Sequence, residues 1–138
     1  MKRHHALEIE RLIEENREEW INASNRIWDF AELRFEERKS AELLSEIFIR
    51  HGFSVERGVA GLETAFIATH GGGQPVIAFL GEYDALPNLS QEAGIASPKP
   101  VVAGGNGHGC GHNLLGVGAA AAAVAVKDYL EAHKLPGT

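Results

Sequence analysis

The sequence is poor in several features that mark particular classes of protein. A single cysteine among 138 residues excludes an internal disulfide framework and is typical of a reducing compartment. The first twenty residues carry a charge every few positions, so they lack the apolar core of a secretory signal. The longest run of small apolar residues, 119–126, is too short to cross a bilayer. These absences predict a cytoplasmic protein with no membrane segment.

The sequence also has no excess of positive charge. Lys and Arg total 13 against 19 for Asp and Glu, which gives a net charge of −6 with His neutral. Such a chain repels phosphate backbones at long range, so we expect no nucleic-acid partner. Hydrophobic residues make up 44% of the chain, which is enough for a packed core in one domain of this length.

Helix-rich ends surround a glycine-rich middle that carries the strand pattern. Apolar residues at helical spacing predict one or two helices within residues 3–33, with a weak point at residues 22–25. They predict another helix over residues 40–51. Ser40 has the side chain of an N-cap, and Gly52 stands where a left-handed residue ends a helix.

From residue 53 the apolar period changes to two. Residues 53–59, 64–68 and 75–80 predict three short strands, and the glycines at 71–73 predict an antiparallel hairpin between the last two. The third strand is continuously apolar, which predicts burial on both faces. It ends in Glu82-Tyr83-Asp84, at the position where open α/β sheets hold their ligands.

The rest of the chain predicts a long loop followed by one helix. Prolines and glycines interrupt residues 85–111, and long loops in compact domains are usually functional or mobile. The predicted single domain therefore has these parts: helices in 1–52, strands in 53–81, an active-site loop in 82–112 and a helix in 113–134, with Asn113 as its N-cap.

The densest cluster of reactive side chains is His108-Gly109-Cys110-Gly111-His112. Thiolate and imidazole are preferred ligands of zinc-like metals, and the two glycines allow the sharp bend that convergence requires. A Cys–His nucleophile pair is a competing interpretation. A third is a buried cysteine with histidines that only satisfy turns. The density of the cluster favours a metal site.

A second cluster, Glu82 and Asp84, follows the third predicted strand. Three interpretations are open for carboxylates at this place: they bind a metal directly, they orient a metal-bound histidine, or they simply cap the strand in solvent. Their combination with Cys110 and His112 favours a functional role. The glycine-rich run lacks both the Lys-Ser/Thr of a P-loop and the spacing of a dinucleotide fingerprint, which excludes those phosphate sites.

Two motifs in order resemble the M20 metallopeptidase and amidohydrolase family. They are GEYDALP at 81–87 and HGCGHNLLG at 108–116, and the resemblance extends from about Ile27 to the end of the sequence. The branch with aminobenzoyl-glutamate hydrolases, aminoacylase-like amidohydrolases and some dipeptidases is the most similar. The resemblance implies an α/β fold, namely the N-terminal part of a three-layer zinc-peptidase-like catalytic domain with a mixed sheet.

The same resemblance implies a reaction and a site. Members of the branch bind two divalent ions (zinc, manganese, cobalt or nickel), which implies Cys110 and His112 as metal ligands. Asp84 matches the family aspartate next to the site, which supports a metal ligand or positions the water nucleophile, and it is the catalytic candidate. Glu82 and His108 are secondary candidates. The implied reaction is hydrolysis of an amide bond in N-acyl amino acids, aminobenzoyl-glutamate-like compounds or dipeptides. The complete enzyme is expected to be a homodimer.

One expected residue has no counterpart in the sequence. The family's catalytic glutamate matches none of the Glu-Glu pairs, because those at 14–15, 18–19 and 36–37 all lie in the helical N-terminal part. We therefore expect an N-terminal fragment of a longer enzyme, with negligible hydrolysis by these residues alone. The alternative function is a non-catalytic metal- or partner-binding module that needs a complementary chain.

Overall fold

The computed structural model describes residues 2–138, and within them it contains four α-helices and two short strands. The helices are α1 (Lys2–Glu15), α2 (Arg17–Phe30), α3 (Arg38–Arg50) and α4 (His112–Ala132), and the strands are β1 (Ser54–Arg57) and β2 (Phe66–Thr69), separated by a 3-10 turn at Val59–Gly61.

The first predicted helical region forms two helices that meet at Asn16. The Asn16 side chain donates a hydrogen bond to the Leu12 carbonyl at 3.4 Å, and such local bonds compete with the helical ladder. The predicted weak point at residues 22–25 was wrong, since these residues lie inside α2. Ala23 and Ser24 are buried there, so tertiary packing overrides the weak local preference.

Helix α3 begins at Arg38, and the prediction that Ser40 caps it was wrong. Ser40 lies in the first turn and is fully buried. The cap comes from Glu32, whose carboxylate accepts hydrogen bonds from the backbone N–H groups of Lys39 and Ser40 at 3.0 and 2.9 Å. A carboxylate at this end also complements the helix dipole.

The end of α3 confirms the expected role of Gly52. This glycine has a φ of 83°, in the left-handed region, and its N–H donates to the Ile49 carbonyl at 3.0 Å. The Phe53 N–H donates to the Phe48 carbonyl at 3.0 Å. Together these bonds form a Schellman motif, which satisfies carbonyls that the helix end would otherwise leave unpaired.

The two strands pair with each other in antiparallel register, with Ser54 opposite Thr69. This corrects the predicted hairpin, because β2 pairs with β1 and not with residues 75–80. One face of the pair packs on α3 through side chains that include Val55, Phe66 and Ala68. On the other face Ile67 is exposed.

Residues 75–80 are neither in an assigned strand nor buried, so that prediction was also wrong. The large apolar side chains of this segment are 42–83% exposed: Val76, Ile77, Phe79 and Leu80. A continuously apolar strand becomes buried only when other strands flank both of its edges and layers cover both faces. Among the described residues its backbone is hydrogen-bonded only at one end, to Thr138. The described chain is thus compatible with a mixed α/β fold, while its sheet has two strands.

The core forms where α4 packs against α2 and α3, and α4 also contacts α1. Alanine on the buried face of α4 allows close helix approach and favours the helix itself. By length and composition alone α4 could cross a membrane, but its buried face is part of this core. The buried core residues are Trp20, Ala23, Ile27, Leu43, Leu44, Ile47, Phe48, Val117, Ala120, Ala121 and Val124.

A polar cluster joins α2 to the end of α3. The Glu19 carboxylate accepts hydrogen bonds from Arg50 at 2.8 Å and from His51 at 2.7 Å, and the His51 ring stacks on Trp20. Partial burial raises the pKa of Glu19, but the bonds from Arg50 and His51 outweigh it and hold that pKa below its ordinary value.

We expect Glu19→Gln to lower the free energy of unfolding by about 1 kcal/mol near neutral pH. Because the folded-state pKa of Glu19 is lowered, its stabilisation is present above pH 4.5 and is lost as the pH falls through the folded-state value. Urea unfolding at pH 7 and pH 3 measures this difference. The exposed neighbour provides the control variant, Glu18→Gln. If Glu19→Gln lowered the free energy of unfolding equally at both pH values, the lowered pKa of Glu19 would be contradicted.

Candidate functional site

The two predicted site residues Asp84 and His112 lie side by side. His112 is the first residue of α4, and Asp84 follows the exposed segment 75–80. The His112 Nδ1 atom lies 2.7 Å from Asp84 Oδ1, and both side chains are partly buried. Because a carboxylate only accepts hydrogen bonds, Nδ1–H is the donor. The Nε2 lone pair of neutral His112 is then oriented to bind another group.

Backbone bonds fix the position of Asp84. The next residue, Ala85, donates its N–H to the Glu32 carbonyl at 2.7 Å. Leu86 and Gly107 exchange two backbone hydrogen bonds, each of 3.0 Å. The residues after Asp84 are thereby joined both to the segment after α2 and to the loop that carries the Cys–His cluster.

His108, a secondary candidate, anchors that loop to α2. Its Nε2 atom is 2.9 Å from the Ile27 carbonyl oxygen, its ring stacks on Trp28, and only 6% of the residue is exposed. Asn106 makes a similar bond to the Ala31 carbonyl at 3.2 Å. The Ile27 carbonyl already accepts the Ala31 N–H at 3.2 Å, so His108 adds a second bond to it, whereas the Ala31 carbonyl lies past the last helical residue, where intrahelical partners are lacking. Burial lowers the pKa of His108, which favours the neutral ring.

Cys110 lies exposed on the bend between His108 and His112. The expected sharp turn is present at Gly111, whose φ is 80°. At Gly107 glycine is required for space, because a Cβ atom there would lie 1.9 Å from the Leu89 carbonyl oxygen. A Cβ atom at Gly109 would meet only the end of the flexible Leu89 side chain, at 2.5 Å. The absence of a side chain at Gly107 therefore lets the loop that leads to Cys110 pack closely on the backbone at Leu89.

The remaining candidate, Glu82, is exposed. Across residues 2–138 no three His, Cys, Asp or Glu side chains are grouped closely enough to hold a metal ion. Of the predicted site residues, the described chain thus brings together one imidazole–carboxylate pair, Asp84 and His112, with the Cys110 thiol two positions before the histidine.

Asn113 corrects another prediction, because it is not the N-cap of α4. Gly111 has that position, and Asn113 lies within the first turn. Its buried side chain donates a hydrogen bond to Ser24 Oγ at 3.0 Å, which joins the start of α4 to α2. The positive φ of Gly111 starts the helix one residue earlier than the sequence predicted.

Gly116 was missed by the sequence analysis, although it sets the distance between α4 and the residues before Asp84. A Cβ atom at Gly116 would lie 2.8 Å from the Glu82 carbonyl oxygen and 3.3 Å from Tyr83 Cβ. Tyr83 is held in turn by a hydrogen bond to the Thr64 carbonyl, and burial raises its pKa to about 12. Glycine is unfavourable inside a helix. Its presence at position 116 could therefore have indicated that another part of the chain packs closely against α4 there.

The site residues lie in a region that is similar to a known hydrolase. Over 130 residues, or 94% of this chain, the sequence is 53% identical to a p-aminobenzoyl-glutamate hydrolase subunit from Escherichia coli (strain K12). The matched region is 27% of that relative's length, so the chain spans about a quarter of it. No family model matches the chain. The identity confirms the resemblance to aminobenzoyl-glutamate hydrolases that the two motifs indicated.

Two glycines in α4 give a matched test of how the site is positioned. We expect Gly116→Ala to destabilise the protein by about 1–3 kcal/mol, because its Cβ would displace the backbone at Glu82. Gly118 has open space around it, so Gly118→Ala should stabilise the helix by about 0.5–1 kcal/mol. Chemical unfolding of both variants measures the two changes. Stabilisation by Gly116→Ala would contradict the close contact.

Proposed function

We propose that this chain carries part of the metal site of an M20-type amidohydrolase. The single observation that supports this most strongly is the 2.7 Å bond between His112 Nδ1 and Asp84 Oδ1. A carboxylate on one imidazole nitrogen is the usual support for a histidine that binds a metal through the other nitrogen. The identity to a relative named as a hydrolase supports the same class of reaction.

The donor types fit the proposed metal. Cys110 supplies a thiol that is exposed and free, and His112 supplies a nitrogen whose orientation is fixed by Asp84. Sulfur and nitrogen donors of this kind suit zinc and its neighbours, with manganese, cobalt and nickel as further members of the proposed set. Two divalent ions are proposed for the complete enzyme. We assign Cys110 and His112 as ligands and Asp84 as the residue that positions His112.

The proposed reaction is hydrolysis of an amide bond in N-acyl amino acids, aminobenzoyl-glutamate-like compounds or dipeptides. Bound divalent ions would polarise the amide carbonyl and lower the pKa of a bound water. In this chain Asp84 holds the Nδ1 proton of His112 and so keeps Nε2 available. His108 holds the loop against α2, which limits the movement of Cys110.

The small number of potential metal ligands favours a second candidate function, that of a binding module. Because no three potential ligands converge within residues 2–138, these residues alone offer an incomplete set. A non-catalytic metal- or partner-binding module would have this property, and so would part of an enzyme that needs other polypeptide. We therefore propose negligible hydrolysis by this chain alone and an oligomeric complete enzyme, a homodimer by resemblance. The relative is itself named as a subunit.

Cobalt binding tests the ligand assignment without requiring turnover. Because Cys110 is the sole cysteine, any thiolate-to-cobalt charge-transfer band must arise from it. We expect that band in the native chain with Co²⁺ and its loss in Cys110→Ser. His112→Ala should weaken cobalt binding at least about tenfold.

A histidine whose ring is bonded to other residues provides the control for that experiment. His70 is hydrogen-bonded to the Gly52 carbonyl and paired with Glu131, so His70→Ala should bind cobalt as the native chain does. Cobalt binding that survives Cys110→Ser and His112→Ala unchanged would refute the metal assignment.

The positioning role of Asp84 predicts a spectroscopic signature. In neutral His112 the ring proton should reside on Nδ1, which nitrogen-15 chemical shifts report directly. Asp84→Ala removes the acceptor, so both tautomers should become populated and cobalt affinity should fall about 10–100-fold. The exposed carboxylate two positions earlier gives the control, Glu82→Ala, which should change neither quantity. A native His112 protonated on Nε2 would contradict the proposed orientation.

A further inference from the structure

A pocket lies between α2 and the loop that follows Asp84. Its volume is about 570 Å³, within the range of about 300–1,000 Å³ that small-molecule sites occupy. Trp28 of α2 lines it together with residues of the loop 88–104, and His108 and Gly109 of the Cys–His cluster complete the lining. Neither Asp84 nor His112 lines it, so the pocket is separate from the imidazole–carboxylate pair.

The side chain of Gln91 gives residues 91–99 of this loop a fixed shape. Its Nε2 atom donates to the carbonyls of Ile95 and Ser97, at 3.2 and 3.0 Å. Its Oε1 atom accepts from the Lys99 N–H at 3.0 Å, and the Lys99 carbonyl accepts from the Glu92 N–H at 2.9 Å. One side chain thus holds a segment that has no regular backbone ladder, as in a compact Ω-loop.

Further contacts close the loop on either side of that segment. The Ser90 N–H donates to the Gly105 carbonyl at 2.9 Å, and the Ser90 Oγ accepts from the Val102 N–H at 3.1 Å. Gly107 lies against the backbone of Leu89, where a Cβ atom has no room. The walls of the pocket are therefore formed before a ligand binds, which lowers the entropic cost of binding.

The lining is uncharged and partly flat. Among the described residues, no Lys, Arg, Asp or Glu lines the pocket. The rings of Trp28 and His108 are 28° from parallel with centroids 6.1 Å apart, and Pro98 and Pro100 add two further rings. A planar apolar group can pack on such surfaces. A carboxylate or an ammonium group would lose its hydration there without gaining an opposite charge, which is unfavourable.

We propose that this pocket receives an uncharged aromatic acyl group, of which benzoyl is the simplest, from an N-acyl amino acid. The assignment rests on the proposed function, because Gly109 lines the pocket and the next residue, Cys110, is a proposed metal ligand. An acyl group in the pocket therefore lies beside the residue that would hold the metal. The amino-acid part carries a carboxylate, which the uncharged lining excludes. Trp28 and the loop 88–104 then select the acyl group of the substrate.

Nuclear magnetic resonance of the metal-free chain tests the pocket independently of the proposed metal site. The chain has two tryptophans, so its two indole N–H signals report Trp28 in the pocket and Trp20 in the core. N-Benzoylglycine is the probe, and N-acetylglycine is the control, because it has the same amide and carboxylate without the ring. We expect N-benzoylglycine to shift the signals of Trp28 and Gly109 and to bind at least about tenfold more tightly than N-acetylglycine. The Trp20 signal should not change.

Two adjacent valines provide matched variants. Val102 lines the pocket and Val101 does not, and they are 60% and 70% exposed, so neither substitution should unfold the chain. Val102→Asp should weaken the binding of N-benzoylglycine at least about tenfold, because it places a charge in the apolar lining. Val101→Asp adds the same charge outside the pocket and should leave the binding unchanged.

The outcomes separate the pocket from the metal site. Equal binding of N-benzoylglycine and N-acetylglycine, or an equal loss in both valine variants, would overturn the proposal. A Trp28 response in a chain that fails to bind cobalt would uphold the pocket and refute only the metal assignment. Cobalt binding by a chain whose Trp28 signal does not respond to N-benzoylglycine would overturn the pocket alone.

Discussion

The close approach of α4 to its neighbours is the constraint on which the candidate site depends. Small side chains on α4 let it lie directly against α2 and α3, and Gly116 lets the backbone at Glu82 reach the same helix. His112 stands at the start of α4, and Asp84 follows two residues after Glu82. The 2.7 Å bond between them is therefore a consequence of helix packing. A larger side chain at Gly116 would separate the two.

The end of α2 provides the second fixed point. In its last turn the Ile27 carbonyl accepts a second hydrogen bond from His108 beside that of the Ala31 N–H, and just beyond the helix the Ala31 carbonyl accepts one from Asn106. Asn113 adds a bond between the first turn of α4 and Ser24 of α2. The bend that carries Cys110 is thus held on both sides by α2, although Cys110 itself is exposed. In this arrangement Asn106, His108 and Asn113 support the loop, and Cys110 is left available to a ligand.

Local sequence signals predicted the parts of the fold that depend on neighbouring residues. The helical period located the helices, and Gly52 and Gly111 adopt the positive φ that their contexts required. The Cys–His cluster and Asp84 were selected as candidates from residue type and motif, and the structure places Asp84 and His112 in contact.

Contacts between distant residues account for what the sequence could not predict. Ser40 has the right side chain for a cap, yet Glu32 makes the cap from eight positions away. Residues 75–80 have the composition of a buried strand, but burial depends on flanking strands that residues 2–138 do not supply. The anchoring of His108 to Ile27, across 81 positions, likewise leaves no local signature.

X-ray absorption at the zinc edge of the zinc-loaded chain tests the central claim most directly. The account predicts one sulfur scatterer at about 2.3 Å, from Cys110, and an imidazole nitrogen at about 2.0–2.1 Å, from His112. The sulfur shell should disappear in Cys110→Ser, and the imidazole contribution should disappear in His112→Ala. A spectrum with oxygen and nitrogen neighbours but no sulfur in the native chain would contradict the proposed metal site.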